Sequence, residues 1–272
     1  MDPHIGPAVE LQRQLLTTIL DLSDAIEKGP VPRLSLPPKY IAAKLGRGVP
    51  ALSGEPVPVP TKEIEPTVLR LCDELAAGGA GEAALHIKRV VASGQLEAGS
   101  LLTSSLARNQ GAIRTGAVHR GLAPDLLWLV GELAVSPFAY RLQRVLFESP
   151  DHALQAALDG WSQGYCAACG SWPALAERLA GRAVLRCSFC ATAWSPSTPL
   201  CLYCGKREPA TELQPGHDDR RVSRCSDCKG YLKQVEVSAL SAFPLLAIAD
   251  LETMELDLRA MELGYHLSLI HI

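Results

Sequence analysis

The chain has 272 residues, of which 47% are hydrophobic, and a formal net charge of −3. This length suffices for two domains, and the composition indicates a globular protein without a stretch of about 18 uninterrupted apolar residues, so no membrane insertion is expected. The charge predicts no binding to nucleic acid, because the region from Tyr165 to Val235, with ten Lys and Arg against six Asp and Glu, lacks the dense basic clusters and interleaved aromatics of nucleic-acid-binding ribbons.

The first part of the chain has a helical pattern. From Val9 to Lys28, apolar residues recur at helical spacing, namely Leu11, Leu15, Ile19, Leu22 and Ile26. The next segment, Gly29 to Pro60, contains eight prolines. It cannot form a continuous helix, because proline lacks the backbone donor and clashes with the preceding turn. We expect an extended connector or an arm laid on the core, anchored by Tyr40, Ile41 and Leu45.

Helical patterns resume at Pro66, a favourable residue for a first turn, with an apolar stripe that includes Cys72. Cys72 stands apart from the other cysteines and is expected to be a small buried core side chain. Three further helices are predicted over Ala83–Ala92, Leu96–Leu106 and Asp125–Phe147. Gly131 and Pro137 are expected to break the last of these.

Eight of the nine cysteines form four Cys-x-x-Cys pairs, which are Cys166/Cys169, Cys187/Cys190, Cys201/Cys204 and Cys225/Cys228. Seventeen residues separate the first two pairs and twenty separate the last two, close to the spacing of about 15–20 residues in zinc ribbons. Gly170 and Gly205 directly follow a pair, where glycine permits the positive φ that turns backbone N–H groups toward the thiolates. The pattern predicts two four-cysteine metal sites, each built from consecutive pairs, because each ribbon then closes a short loop.

Three other uses of the cysteines compete with this interpretation. Disulfides need an oxidising compartment, and the segment from Met1 to Pro7 shows neither the cationic start nor the following apolar region of a signal peptide. Dithiol redox catalysis usually needs one pair beside a βαβ pattern, and iron–sulfur clusters usually have tighter, less symmetric ligand runs. The metal stays open, because tetrahedral sulfur coordination suits zinc and rubredoxin-type iron alike.

Short strands are expected around the second and fourth pairs, over Val184–Arg186, Thr192–Trp194, Arg220–Arg224 and Tyr231–Val237. Glu208 to Asp219 is expected to be a polar loop, in which His217 finds no vacant metal position. Ala247 to Tyr265 is predicted to form an amphipathic helix that packs on the core or the ribbons. Its apolar face consists of Leu251, Met254, Leu258, Met261 and Tyr265.

These motifs resemble the formate dehydrogenase accessory protein (FdhE) family. The matching segments are Tyr165–Pro173, Leu185–Trp194, Cys201–Cys204, Cys225–Lys233, Ala249–Leu251 and Leu263–Tyr265. The resemblance is specific from Trp161 onward, whereas before it rests on the early helix and the proline-rich arm. The family usually has an acidic residue at the place of Ala193 and basic residues at the place of Ser195 to Leu200. The tail from Leu267 to Ile272 also differs from the family's ending.

Together with the predicted elements, the resemblance implies an α+β fold. A helical domain would span residues 1–160, with the arm at 29–60, and rubredoxin-like four-cysteine ribbons would span 161–200 and 201–240, followed by a closing helix in 241–272. The resemblance further implies a cytoplasmic maturation chaperone, not an enzyme, that binds the catalytic subunit of formate dehydrogenase. Two metal ions, iron or zinc, would be held by the eight paired cysteines. The sequence leaves open whether the protein forms a homodimer.

Basic residues of the ribbons are candidates for partner contacts, namely Arg186, Lys206, Arg207 and Arg224. The competing interpretation of each is a solvated surface charge. One alternative function is a redox-active four-cysteine iron protein that transfers electrons or sulfur to the same enzyme. Against catalysis, eight thiolates committed to metal leave no open coordination position. A nucleic-acid-binding ribbon is a further alternative, which would bind DNA or RNA in a salt-dependent manner.

Overall fold

The computed structural model describes residues 5–30, 34–195, 198–214 and 217–267. Within them the helices are α1 (Ile5–Lys28), α2 (Pro38–Leu45), α3 (Thr61–Leu75), α4 (Gly81–Ala92), α5 (Ala98–Leu106), α6 (Gln110–His119), α7 (Pro124–Phe147), α8 (His152–Asp159), α9 (Leu246–Glu252) and α10 (Met254–Glu262). The strands are β1 (Pro173–Leu179), β2 (Arg182–Cys187), β3 (Ala193–Trp194), β4 (Ala210–Leu213), β5 (Arg220–Arg224) and β6 (Tyr231–Val237). Predictions for Met1–His4, Pro196, Ser197 and the tail beyond Leu267 lie outside the described residues.

Contacts between Cα atoms divide the chain into two compact units. The first comprises residues up to Leu34 together with Gly54–Val145, and the second comprises Ser35–Ser53 together with the residues from Leu146 onward. The division into a helical domain, two ribbons and a closing helix stays a prediction, because such units are defined by contacts alone. In the described part of the chain, no helix combines the length and hydropathy needed to cross a bilayer.

The first unit is helical, as predicted. Helix α1 buries most of its predicted apolar stripe, at Leu15, Ile19, Leu22 and Ile26. Helix α3 begins at Thr61 and contains Pro66 in its interior, so the predicted start at Pro66 is wrong. The earlier start is favoured because it buries Ile64 completely.

Helix α7 runs without interruption through Gly131 and Pro137, so the predicted breaks are wrong. A proline inside a helix costs about 3 kcal/mol or more. On both sides of Pro137, however, α7 buries large apolar side chains, including Val135, Phe138 and Leu142. Burial contributes about 1.5–3 kcal/mol for each of them, which outweighs the cost of the proline.

The second unit includes the middle of the proline-rich arm. Helix α2 packs against α8, and Ile41 and Leu45 are buried as predicted, whereas Tyr40 is exposed. Beyond α2, the Ala51 and Leu52 amides donate to the carbonyl oxygens of Ala167 and Ala168, at 2.8 and 2.9 Å. The arm is therefore hydrogen-bonded to the turn between Cys166 and Cys169.

The strands of the second unit form one six-stranded sheet in the order β3-β2-β1-β6-β5-β4. Strands β1 and β6 pair in parallel at its centre, and the outer pairs are antiparallel. The first two cysteine pairs belong to the β1–β3 half and the last two to the β4–β6 half, so the two predicted ribbons share a continuous sheet. Strand β4 lies within the segment predicted as a polar loop. These elements confirm the α+β class with two four-cysteine ribbons after a helical part.

The closing helical segment differs from its prediction. It is interrupted at Thr253, whose hydroxyl donates to the Ala249 and Asp250 carbonyl oxygens, at 2.8 and 3.0 Å. Helix α10 packs on β5 and β6 through Leu256 and Ala260. The predicted apolar face was therefore wrong, because Met254, Leu258 and Met261 on it are exposed.

Candidate metal centres

Each of the four Cys-x-x-Cys turns is closed by the same backbone hydrogen bond. The amide that follows the second cysteine donates to the carbonyl oxygen of the first cysteine, at 2.8–3.0 Å in all four turns. The amide of the first cysteine donates in turn to a carbonyl five residues later in three of them. At Cys201 the acceptor is Arg207, six residues later, so the third turn is one residue wider.

The residue that follows each pair adopts the left-handed conformation. Gly170 and Gly205 have φ of 83° and 67°, which confirms the sequence prediction for both glycines. Ala191 and Lys229 occupy the same place in the other two turns, with φ of 56° and 59°. A residue with a Cβ is strained there by about 1–2 kcal/mol. The two non-glycine turns therefore contain strain that the surrounding structure must offset.

The eight paired cysteines form two clusters. Their Sγ atoms lie within 4.8 Å of one another in each cluster, one of which is Cys166, Cys169, Cys187 and Cys190, and the other Cys201, Cys204, Cys225 and Cys228. In the first cluster, measured separations between sulfurs of different pairs are 3.5–3.6 Å. In the second they are 3.7 Å. The structure thus groups consecutive pairs.

These separations fit a tetrahedrally coordinated metal ion. A metal–sulfur bond of about 2.3 Å places the sulfurs of a tetrahedron ~3.8 Å apart, whereas a disulfide needs about 2.05 Å. Each cluster can therefore hold one metal ion, and all nine cysteines are free thiols in the structure. Four sulfur donors suit zinc and iron alike, so the donor set does not select between them.

The two clusters differ in solvent exposure. All four cysteines of the first cluster are buried, whereas Cys204 and Cys228 of the second are partly exposed. Burial raises the pKa of Cys187 and Cys190 well above the ordinary value. At Cys225, burial also raises the pKa, but hydrogen bonds from the backbone amides of Cys228 and Asp227 bring it down to about 7. Thiols must lose their protons to bind metal, so metal binding at either cluster is expected to weaken as the pH falls.

Hydrogen bonds to sulfur support both clusters. The Ala168 amide donates to Cys166 Sγ at 3.3 Å, and the Gly230 amide donates to Cys228 Sγ at 3.4 Å. The Thr192 hydroxyl lies 3.1 Å from Cys190 Sγ. Such donors stabilise thiolates and orient them toward one point, which is what a metal site requires.

The third turn packs directly on the first ribbon. The rings of Trp172 and Tyr203 lie 5.3 Å apart between centroids, and Tyr203 stands between Cys201 and Cys204. A Cβ at Gly164 would lie 2.3 Å from the Leu202 carbonyl oxygen, so only glycine permits this approach. Close packing and the shared sheet together hold the two clusters in one unit.

Comparison with known proteins gives one structural similarity. The fold is similar to that of the FdhE protein from Pseudomonas aeruginosa, with a TM-score of 0.57, 22% sequence identity, and coverage of 95% of this chain and 92% of that chain. The chain shares the FdhE fold. No family model matches the chain, and no curated protein matches it. The resemblance found in the cysteine motifs is therefore confirmed at the level of the fold.

The four basic residues predicted as partner contacts occupy different environments. Lys206 and Arg207 are exposed, and Arg207 Nε lies 3.1 Å from Asp227 Oδ2. Arg224 is paired with Glu212, and its guanidinium lies 5.2 Å from the centroid of the Tyr265 ring. These three residues lie at or near the surface of the second ribbon.

Arg186 differs from them, because only 4% of its surface is exposed. Its guanidinium is paired with the buried Glu177 carboxylate and donates to the Ser241 carbonyl oxygen at 2.8 Å. The Ser241 amide donates back to both Glu177 oxygens, at 3.0 and 3.1 Å. These bonds join β1 and β2 to the segment that leads to α9, and they leave Arg186 unsuited to a partner contact.

Lys233 forms a second buried network that sequence reasoning missed. Its Nζ lies 2.7 Å from Asp257 Oδ2 and 2.5 Å from Asp250 Oδ1, and it also donates to the Asp250 carbonyl oxygen at 3.0 Å. The Tyr231 hydroxyl donates to Asp257 at 2.7 Å. A lysine on a strand with Asp residues in a later helix was the only available signal, and spacing alone does not pair them.

Proposed function

We propose that the protein is an accessory chaperone that binds the catalytic subunit of formate dehydrogenase in the cytoplasm and supports its assembly into active enzyme. The observation that supports this most strongly is the FdhE-like fold along 95% of the chain. The cysteine motifs and the segments around them, which resemble that family, agree with it. Acting on another protein requires a binding surface, and the role therefore needs no catalytic residues.

In this proposal each cysteine cluster holds one iron or zinc ion with a structural role. Structural zinc sites supply about 10–16 kcal/mol of apparent binding free energy in small peptides. The second ribbon depends on such a contribution, because few of its strand residues are buried apolar side chains. With four thiolates around each ion, no position stays open for substrate.

The proposed partner contacts are Lys206, Arg207 and Arg224 on the second ribbon. They lie on a part of the chain with a local excess of positive charge, which favours an acidic surface on the partner. Arg186 is excluded from this set because its bonds to Glu177 and Ser241 are internal. Its role in this proposal is to hold the sheet and the closing segment together.

The proposal is tested by co-purification from an anaerobic host that produces a respiratory formate dehydrogenase. We expect affinity-tagged, metal-replete protein to retain the catalytic subunit, identified by mass spectrometry. Replacing Lys206 and Arg207 together by Glu should reduce this retention, whereas replacing Lys62 and Glu63, which are exposed on α3, by Ala should not. If metal-replete protein fails to retain the subunit, the proposed function is wrong.

A metal assay tests the two clusters separately. We expect two ions per chain, and about one after Cys187→Ser or Cys225→Ser. Each replacement removes a thiolate from a different cluster, so folding of the C-terminal part should be lost as well. A native content far below two ions per chain would contradict the paired-site model.

An electron-transfer role on the same enzyme is the second candidate. The observation that favours it is the partial exposure of Cys204 and Cys228, since electron exchange with a partner requires an accessible centre. Iron at this cluster would supply a one-electron couple. Reversible reduction of the isolated iron-loaded protein would support this candidate, whereas a redox-silent metal would exclude it.

A further inference from the structure

The two faces of the six-stranded sheet are covered differently. One face presents Glu177, Arg186 and Lys233, and it contacts Ser241 and the helices α9 and α10. The opposite face presents the alternate residues of the same strands, because side chains alternate across a strand. Residues 198–203 and the opposite face enclose a cavity of about 250 Å³. The cavity is thus on the face that the closing helices leave uncovered.

Both ribbons contribute to the floor of this cavity. Four strands supply it, through Arg178, Ala183, Leu185, Thr211, Ser223, Leu232 and Gln234. The facing wall is mainly apolar and includes Pro199, Leu200 and Leu202. The volume is below the roughly 300–1,000 Å³ of sites that enclose drug-sized ligands, so it suits one side chain with its neighbouring peptide groups.

A row of hydrogen-bonded polar side chains crosses the floor. Arg178 Nη1 donates to Gln234 Oε1 at 3.3 Å, and Gln234 Nε2 donates to Ser223 Oγ at 2.5 Å. The Ser223 and Thr211 hydroxyl oxygens lie 2.7 Å apart. Because a guanidinium can only donate, the oxygen of the Gln234 amide must face Arg178 and its nitrogen must face Ser223.

This orientation leaves unused donors toward the cavity. Ser223 and Thr211 share one hydrogen bond between two hydroxyl protons, so one proton is left over whichever of them donates. Gln234 Nε2 retains its second proton. A chain of hydrogen bonds that starts at a cation polarises its members in one direction, which strengthens the terminal donor. The floor therefore favours a ligand with hydrogen-bond acceptors.

Charge around the cavity favours an anionic acceptor. Glu236 accepts hydrogen bonds from Arg221 and from Arg178, the latter at 2.9 Å, so two guanidinium groups share one carboxylate. Hydrogen bonds from Arg221, and then from Arg178, lower the pKa of Glu236, so it stays ionised at neutral pH. The exposed Lys206 and Arg207 lie between Tyr203 and Glu208, two residues that line the cavity.

We propose that this cavity binds an extended peptide segment in which an acidic residue follows an apolar one. The apolar side chain would lie against Leu185, Leu200 and Leu232. The carboxylate and the peptide carbonyl groups would accept hydrogen bonds from the polar row at Arg178 and Thr211. Identification of the segment as part of formate dehydrogenase rests on the proposed function, whereas the recognition of its chemistry rests on the cavity alone.

Peptide titration of the metal-loaded, full-length protein tests the proposal. The probe is acetyl-Gly-Leu-Asp-Gly-amide, and binding is followed by NMR of methyl-labelled leucines. We expect shifts at Leu185, Leu200, Leu202 and Leu232. The matched peptide with Asn in place of Asp should bind about threefold to tenfold more weakly, as expected for loss of a partly exposed charge interaction. A peptide with Lys at that position should bind more weakly still.

Two variants separate binding from folding. Ala183→Leu extends a side chain into the cavity and should abolish the shifts. The adjacent Arg182→Leu is its control, because Arg182 is exposed and points to the opposite face of the same strand. Both variants should keep two metal ions per chain and a native methyl spectrum. If Ala183→Leu unfolds the chain, Thr211→Val, which removes only the hydroxyl, should reduce the preference for Asp over Asn.

The outcomes decide the proposal independently of formate dehydrogenase. Absence of shifts at the four leucines, equal affinity for the Asp and Asn peptides, or undiminished binding by a folded Ala183→Leu protein would each overturn it. Peptide binding combined with failed co-purification would leave the cavity proposal standing and contradict the proposed function. Co-purification without peptide binding would do the reverse.

Discussion

Replacement of Arg186 by Met tests whether this residue has a structural role. The change removes the cation from Glu177, whose side chain is completely buried and would keep only the Ser241 amide among its observed donors. Breaking a buried ion pair by removing one partner costs about 3–5 kcal/mol, because the other charge stays buried without compensation. We expect a loss of this size in the stability of the sheet and the segment at Ser241.

The exchange rate of the Ser241 amide measures this loss locally. A loss of about 3–5 kcal/mol corresponds to roughly 10²- to 10³-fold faster exchange or more, since 1.4 kcal/mol is tenfold. Local exchange is preferable to global unfolding, because the chain contains two compact units and a single transition is not assured. The measurement uses hydrogen exchange of the metal-loaded protein, read by mass spectrometry of peptides that contain Ser241.

Two variants complete the test. Arg207→Met is the matched control, because this side chain is 65% exposed and its ion pair with Asp227 should contribute at most about 1 kcal/mol. Adding Glu177→Gln to Arg186→Met removes the stranded charge and should lower the cost to about 1–3 kcal/mol, the penalty of unsatisfied neutral groups. If Arg186→Met exchanges no faster than Arg207→Met but loses partner capture, Arg186 is a partner contact and the structural argument is refuted.

Two other measurements test local features. Gly205→Ala should cost about 1–2 kcal/mol in thermal unfolding of the metal-loaded protein, from the left-handed φ alone. Gly170→Ala should cost more, because its Cβ would lie 3.3 Å from Pro50 Cγ while the one at Gly205 meets no atom within 4 Å; equal losses would show that the arm yields. Burial raises the pKa of Cys72 to about 11, so iodoacetamide at pH 8 should leave Cys72 unmodified in the native protein and modify it after denaturation, and labelling of the native protein would contradict its burial.

The helical pattern predicted some boundaries well and others poorly. Strands β5 and β6 begin and end where expected, because alternating side chains flank a fixed cysteine turn. The predicted break of α7 at Pro137 failed because tertiary burial on both sides compensates for a local defect. Local propensity registers the proline, whereas the neighbouring helices that cover it are distant in sequence.

The closing segment shows the same limit for the orientation of a helix. Its apolar stripe predicted that Leu258 and Met261 face the protein, but both are exposed. Buried Lys233 binds Asp257 and thereby turns Leu256 and Ala260 toward the sheet. An amphipathic pattern gives the most apolar face, and a buried cation that needs carboxylates can select another.

The sequence by itself determined the two four-cysteine clusters and their composition. A Cys-x-x-Cys turn is a local structure whose geometry follows from a few residues, and short spacings leave consecutive pairs as the favoured partners. Only the tertiary structure decided that β1 and β6 join the two ribbons in one sheet, that Arg186 is internal, and that a polar row crosses an uncovered cavity. These features depend on contacts between residues tens of positions apart, such as Arg178 with Gln234, which neither periodicity nor spacing encodes.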